Sequence, residues 1–243
     1  MRIAIAGGTG TVGRHVVDVA TERGHDVVVL SRSAGVDLTS PQPLDLAGVD
    51  AVVDVASIQT ASAGASRAFF AAVTTKLLSA AHRAGVGHLV ALSIVGSDVA
   101  PFGYYAGKAE QERLVSSGPV PWTILRATQF HEFAGQILER MRTGPFSVVP
   151  AMRSQPVAAR EVAERLVELV ETGPAGHAAD LAGPRVERMA DLSRRWAEAT
   201  GTAARVLEVP VPGRFGRALR DGTLLPGAGA DRGRLAFADW LAG

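Results

Sequence analysis

The chain of 243 residues has no cysteine and no asparagine. Without cysteine, disulfides and thiolate chemistry are excluded. Two lysines stand against 23 arginines, and there are only two tyrosines. No apolar run approaches the roughly 20 residues that cross a bilayer. The formal net charge is only +1, so nothing in the bulk electrostatics points to nucleic acid or to a membrane as a partner. What remains, 47% hydrophobic and 20% charged, is ordinary for a globular protein of one large domain, or of one domain with a small lobe. The chain runs directly into an apolar stretch with no leader-like segment, and a cytoplasmic protein is expected.

That first stretch, Ile3 to Ala20, organises the rest. A short apolar run, Ile3 to Ala6, is bounded by glycine and fits a buried strand of a parallel sheet. Gly7, Gly10 and Gly13 follow with G-x-x-G-x-x-G spacing. Val12, Val16, Val17, Val19 and Ala20 then recur with a helical period. A strand, a glycine turn and a helix in this order form a dinucleotide-phosphate cradle. Gly7 permits the tight turn, Gly10 leaves the backbone open to a pyrophosphate, and Gly13 lets the helix approach the sheet. The helix N-terminus supplies free N–H groups and partial positive charge. Thr9, Thr11 and Val12 complete the loop.

The second strand, Val27 to Leu30, runs into Ser31-Arg32-Ser33. In dinucleotide folds this position meets the adenosine ribose, where a carboxylate selects NAD and an arginine accommodates the 2′-phosphate of NADP. Arg32, with Ser31 beside it and no carboxylate at 31–33, favours NADP(H), with NAD(H) as the alternative. The third strand, Ala51 to Val55, ends in the small residues Ala56 and Ser57, at the strand end that lines the cofactor crevice. A polar loop over Ile58–Ser66 and a helix from Arg67 to Ala84 are expected next, with Phe69, Phe70, Val73, Leu77, Leu78 and Ala81 as its inward stripe. The alternation predicts an α/β fold, a doubly wound parallel sheet of Rossmann type with a small C-terminal substrate lobe. The expected division is a cofactor-binding core over 1–145, then a remaining sheet edge and the lobe over 146–243.

Ser93 ends the strand His88–Leu92, and Tyr104, Tyr105 and Lys108 follow in GYYAGKAEQERL. Tyr104 and Lys108, four apart on a helix, share a face. A carbonyl reduced by hydride needs a proton on its oxygen. A tyrosine whose pKa, ordinarily about 10, is lowered by a neighbouring ammonium can supply it. Where a solvated cation suffices this sequence uses arginine, so a lysine at 108 marks a place that needs a compact ammonium. Lys76, mid-helix, reads as a solvated residue.

GGTGTVGR and the Ser93, Tyr104, Lys108 set resemble the short-chain dehydrogenase/reductase superfamily. TILRATQFHEF and QPVAAREVAERL resemble its atypical, NmrA-like and quinone-reductase-like branch over nearly the whole chain. The resemblance implies that Tyr104 donates the proton, that Lys108 also holds the nicotinamide ribose, and that Ser93 orients the substrate oxygen. It places Asp37 and Leu38 beside the adenine and Thr128 at the cofactor. Phe130, His131 and Phe133 would wall a substrate pocket, with a packing role for His131 as the alternative. The helix asparagine of many members is missing, so a relay through it is excluded.

Further on, Met189–Thr200 reads as an amphipathic helix with Leu192, Trp196 and Ala199 inward, and the glycine-rich Leu225–Gly233 as a lid or a disordered loop. These features together imply an NADPH-dependent reductase of a small carbonyl, quinone or related electrophile, with a small molecule as partner, no nucleic acid, no membrane and no metal. The alternatives are an NADP-binding redox sensor without turnover and an epimerase or dehydratase, the last disfavoured by the short lobe.

Overall fold

The computed structural model describes residues 1–243. Its elements begin β1 (Arg2–Ala6), α1 (Gly13–Glu22), β2 (Asp26–Leu30), β3 (Ala51–Asp54), α2 (Ala63–Ala84), β4 (His88–Ile94), α3 (Tyr104–Ser116) and β5 (Trp122–Ala127). They continue with α4 (Phe133–Arg140), β6 (Arg142–Thr143), β7 (Phe146–Pro150), β8 (Arg153–Ser154), α5 (Ala159–Thr172), β9 (Gly176–His177) and β10 (Leu181–Ala182). The last are β11 (Glu187–Arg188), α6 (Met189–Thr200), β12 (Arg205–Val209), α7 (Gly213–Asp221), β13 (Asp231–Arg232) and α8 (Phe237–Ala242). Two compact units share them: residues 1–126 with 160–179, and residues 127–159 with 180–243. Neither is one continuous stretch, because α5 and β9 return to the first unit after the chain has entered the second.

In the first unit the strand order is β2-β1-β3-β4-β5, with β9 against β5. The pairs β1–β2, β1–β3, β3–β4 and β5–β9 are parallel. The order reverses at β1, so right-handed crossovers send α1 and α2 to opposite faces. Sheets covered on both faces need strands apolar throughout, and Ile3 to Ala6 and Ala51 to Val53 are buried with no alternation. On one face, α1 and α5 are joined by Arg23–Glu171, His25–Glu171 and Arg160–Glu22 pairs. These are surface pairs of small individual worth.

α2 buries Phe70, Val73, Leu77, Leu78 and Ala81, with Phe69 partly covered at the margin. It starts one turn earlier than expected, at Ala63 rather than Arg67, because Ser62 Oγ accepts the Ala65 N–H at 3.3 Å as an N-cap. Lys76 is not simply solvated. Its Nζ donates to Asp37 O and Ser40 O, each at 2.9 Å, and to Ser40 Oγ at 3.2 Å. The loop leaving β2 turns its carbonyls toward α2, and a single ammonium satisfies them.

The second unit has its own three-stranded sheet, β12-β7-β6, packed on α4 and α6. α6 buries Met189, Ala190, Leu192, Ser193 and Ala197. Ala199 is exposed, a correction to the inward stripe. The stripe turns instead through the 189/192/193/197 spacing of an α-helix. Trp196 is partly covered and stacks on Trp240 with centroids 5.5 Å apart. Within the stretch 225–233, Asp231 and Arg232 form β13, which pairs with β10; Asp231 N–H reaches Asp180 O at 2.8 Å and Gly233 N–H reaches Ala182 O at 2.7 Å.

The α2–α3 seam closes on Gly107. A Cβ there would lie 2.1 Å from Ser66 Oγ, 2.5 Å from Phe70 Cδ2 and 2.6 Å from the Ser66 carbonyl oxygen. Gly107→Ala forces helix backbones apart and is expected to cost about 2–3 kcal/mol. Urea unfolding should show a lower midpoint at an unchanged slope; an unchanged midpoint would mean that the seam is not tight there.

Candidate functional site

The glycine loop leaves β1 at Gly7, where φ is +82° and the N–H bonds Leu30 O at 2.9 Å. A side chain at Gly7 would strike the Ala56 backbone at 2.8 Å, so β1 and the end of β3 meet here with no room to spare. Gly13 is tight for a different reason than expected. Its Cβ would lie 2.1 Å from Gly7 O, so the loop folds onto itself rather than the helix onto the sheet. Thr9 and Gly10 are exposed, Thr11 is partly so, and Val12 is buried. Val12 occupies the N-cap of α1 with no side-chain capping bond, and the first turn holds no acidic residue. A helix start without a side-chain cap, approached through the exposed Gly10, suits an anionic phosphate. By that donor set the residues fit a dinucleotide.

At the end of β2, Arg32 is exposed and opens a short 3-10 turn, Arg32–Ala34. Ser31 serves that turn. Its Oγ accepts the Ala34 N–H at 3.3 Å and lies 3.0 Å from Ser33 Oγ. Asp37 is held below the usual carboxylate range by Thr39, whose hydroxyl and N–H both donate to Oδ1, at 2.7 and 2.8 Å. Leu38 is buried in the core. The Arg32 charge adds to the lowering of Asp37, and its side chain is exposed to solvent. Two surface depressions, of about 320 and 790 Å³, run along α2 beside residues 38–48 and away from the glycine loop and Tyr104.

Tyr104 is the first residue of α3, where the chain turns through Gly103 at φ +51°. Its hydroxyl lies 3.1 Å from Ser57 Oγ, and its ring meets Phe70 edge-on at 5.6 Å. One helical turn on, Lys108 is 4% exposed. Its Nζ donates to Leu92 O at 2.8 Å and to Gln111 Oε1 at 2.9 Å, and stands 4.3 Å above the Phe70 ring and 5.9 Å from the Tyr104 ring. Gln111 Nε2 donates onward to Asp54 Oδ2 at 2.8 Å, while Asp54 Oδ1 accepts the Ala56 N–H at 3.0 Å. Burial pushes the Asp54 carboxyl up, against the pull of the Lys108 ammonium and of these two donors.

Ser93 does not join Tyr104. Its Oγ donates to Glu112 Oε1 at 2.5 Å, as Ser97 Oγ does at 2.8 Å. Arg126 grips the same carboxylate at both oxygens, 3.0 and 2.7 Å, and also reaches Asp98 at 2.9 Å. A serine hydroxyl has one proton, and this one is spent inside the fold, which is the physical objection to a substrate-donating Ser93. Burial pushes Glu112 up, but Arg126, Ser93 and Ser97 together outweigh it and hold the carboxyl below its ordinary range. Asp54, Gln111, Glu112 and Arg126 were not singled out from sequence. An aspartate at the end of an otherwise apolar strand was the one available signal.

The residues after β5 lie in the second unit. Thr128 is buried, and its Oγ1 donates to Gln155 O at 2.6 Å. His131 is 1% exposed. Its Nε2–H reaches Leu235 O at 3.0 Å, and its ring packs against Phe237 and Trp240 at 5.5 and 5.3 Å. That geometry is the packing role rather than a pocket wall. Phe130 and Phe133 are partly exposed.

Residues 7–172 match a family described as NAD(P)H-binding. The chain is 27% identical over 236 aligned residues to the Photosystem II assembly factor Ycf39 of Synechocystis sp., covering 87% of this chain and 71% of that one. The fold is similar to a UDP-galactose 4-epimerase, with TM-score 0.72 and 19% identity over 99% of this chain and 96% of that one. It is also similar to a short-chain dehydrogenase/reductase superfamily protein of Agrobacterium tumefaciens with bound NAD, with TM-score 0.68 and 18% identity over 100% and 95% of the two chains. No helix is long and apolar enough to cross a membrane.

The Glu112 carboxylate gives a pH signature. Its carboxyl is depressed in the folded state, so its stabilisation is present above the ordinary value of 4.5 and is lost as pH falls through the depressed one. Glu112→Gln should therefore cost about 2 kcal/mol near neutral pH and progressively less in acid. Urea unfolding across that range reads it; a penalty independent of pH would show that the carboxylate is not ionised in the fold.

Proposed function

We propose, from the premise that this chain belongs to the NAD(P)H-binding family, that it is an NADPH-dependent reductase of a small carbonyl, quinone or related electrophile. The observation that carries the reading is the buried Lys108 ammonium beneath a tyrosine whose hydroxyl lies outside, beside an exposed serine. The glycine loop and the start of α1 would hold the pyrophosphate, and Arg32 the 2′-phosphate. The cofactor, when bound, supplies hydride. The protein's part is the proton: Tyr104 gives its own to the substrate oxygen, and the Lys108 ammonium stabilises the charge left on the phenol.

Two observations favour other readings. The similarity to an assembly factor supports a role in which dinucleotide binding regulates a partner without turnover; the intact Tyr104 and Lys108 weigh toward chemistry. The epimerase fold is covered to 96% of its length, so a short lobe no longer argues against epimerase or dehydratase chemistry with the same two residues.

NADPH oxidation measured against a panel of quinones, aldehydes and ketones tests the proposal. Turnover is expected for the wild type. In Tyr104→Phe it should fall at least about 100-fold with dinucleotide affinity nearly unchanged. Arg32→Ala should weaken NADPH about ten-fold and NADH little. Binding without turnover on any substrate would move the protein to the regulatory reading, and tighter NADH than NADPH binding would overturn the cofactor assignment.

A further inference from the structure

We infer that Ser57, and not Ser93, is the hydroxyl that works with Tyr104, returning a proton to it from solvent after each transfer. This rests on the reading of Tyr104 as a proton donor. The two serines, Ser57 just past β3 and Ser93 near the end of the neighbouring β4, have opposite fates. Ser93 is 4% exposed, and its one proton goes to a carboxylate that Arg126 fixes at both oxygens. Turning that proton toward a ligand would break a short charge-assisted bond in the interior. Ser57 is exposed, and its Oγ is the hydroxyl 3.1 Å from the phenol oxygen.

Ser57 is also placed rather than merely near. The preceding N–H, that of Ala56, is held by Asp54 Oδ1, while Asp54 Oδ2 holds Gln111 and through it Lys108. One buried carboxylate thus sets both the turn that presents the hydroxyl and the ammonium under the phenol. The chain has no asparagine to serve as a relay.

The proton accounting closes with these groups. Hydride and its electron pair come from the dihydronicotinamide, the carbonyl π pair moves onto oxygen, and that oxygen takes the Tyr104 proton. Ser57 Oγ–H then passes its proton to the phenolate while Oγ takes one from water. One solvent proton is consumed per carbonyl reduced, and no other reactant is needed.

The test reads Tyr104 directly in the cofactor-free protein, by ultraviolet absorbance of tyrosinate during an alkaline titration. With two tyrosines in the chain, subtraction of the Tyr104→Phe curve isolates Tyr104. Ser57→Ala should move its midpoint up by about half a pH unit, as a loosely held water replaces a fixed hydroxyl. Ser57→Thr should restore it, and Ser93→Ala should leave it in place. Where a substrate is found, Ser57→Ala should also lower kcat about ten-fold and Ser57→Thr recover most of it. An unmoved midpoint in Ser57→Ala, or an equal shift in Ser93→Ala, overturns the inference. Absence of turnover with the expected shift removes the reductase reading alone, and the coupling of Ser57 to Tyr104 stands.

Discussion

An ammonium 4% exposed to solvent must be surrounded by acceptors or it will not stay charged. In this protein that requirement draws three elements of the first unit together. Lys108 donates to the β4 carbonyl of Leu92 and to Gln111 on its own helix; Gln111 donates in turn to Asp54 at the end of β3; Asp54 accepts also from Ala56. The chain of bonds has one direction, from ammonium through amide to carboxylate. The amide cannot be reversed without setting donor against donor. Tyr104 and Ser57 are the outer ends of this arrangement, and their meeting at 3.1 Å follows from it.

What was legible in the sequence is what is local. A strand, a glycine turn and a helix lie within Ile3 to Ala20, and Tyr104 and Lys108 are separated by one helical turn, so periodicity and spacing sufficed. The partners that fix them are remote. Gln111 meets Asp54 across 57 positions, and Ser93 meets Glu112 across 19. Nor could the pattern say which serine faces the tyrosine. β4 is buried from His88 to Ser93 without alternation, and in a sheet covered on both faces there is no polar side to betray a side chain's direction.

The second unit was less legible, for a related reason. Gly135 lies so near Trp196 that a Cβ would come within 2.5 Å of Cε2. Trp240 packs on Trp196, Phe237 and His131. An aromatic assembly drawn from residues 131, 196, 237 and 240 has no period to read. In sequence His131, with phenylalanines at 130 and 133, reads equally as a pocket or a packing residue; its burial, its ring contacts and its bond to Leu235 O are those of packing.

The scarcity of lysine has a common physical cause at both of its positions. Lys108 offers three protons: two find carbonyl oxygens and the charge rests over the Phe70 ring. Lys76 finds Asp37 O, Ser40 O and Ser40 Oγ converging on it. Each is a place where acceptors close around a point. Arginine would bring five donors in a rigid plane that such a place cannot fill. Both ammonium groups therefore sit in closed sets of acceptors, at Lys76 against the solvated reading, but only Lys108 has a phenol beside it. At residue 76 the ammonium has only loop oxygens to satisfy, and it organises the segment leaving β2. At residue 108 it stands 5.9 Å from the Tyr104 ring, and the same solution to a burial problem sets a charge beneath the phenol that we propose as the proton donor.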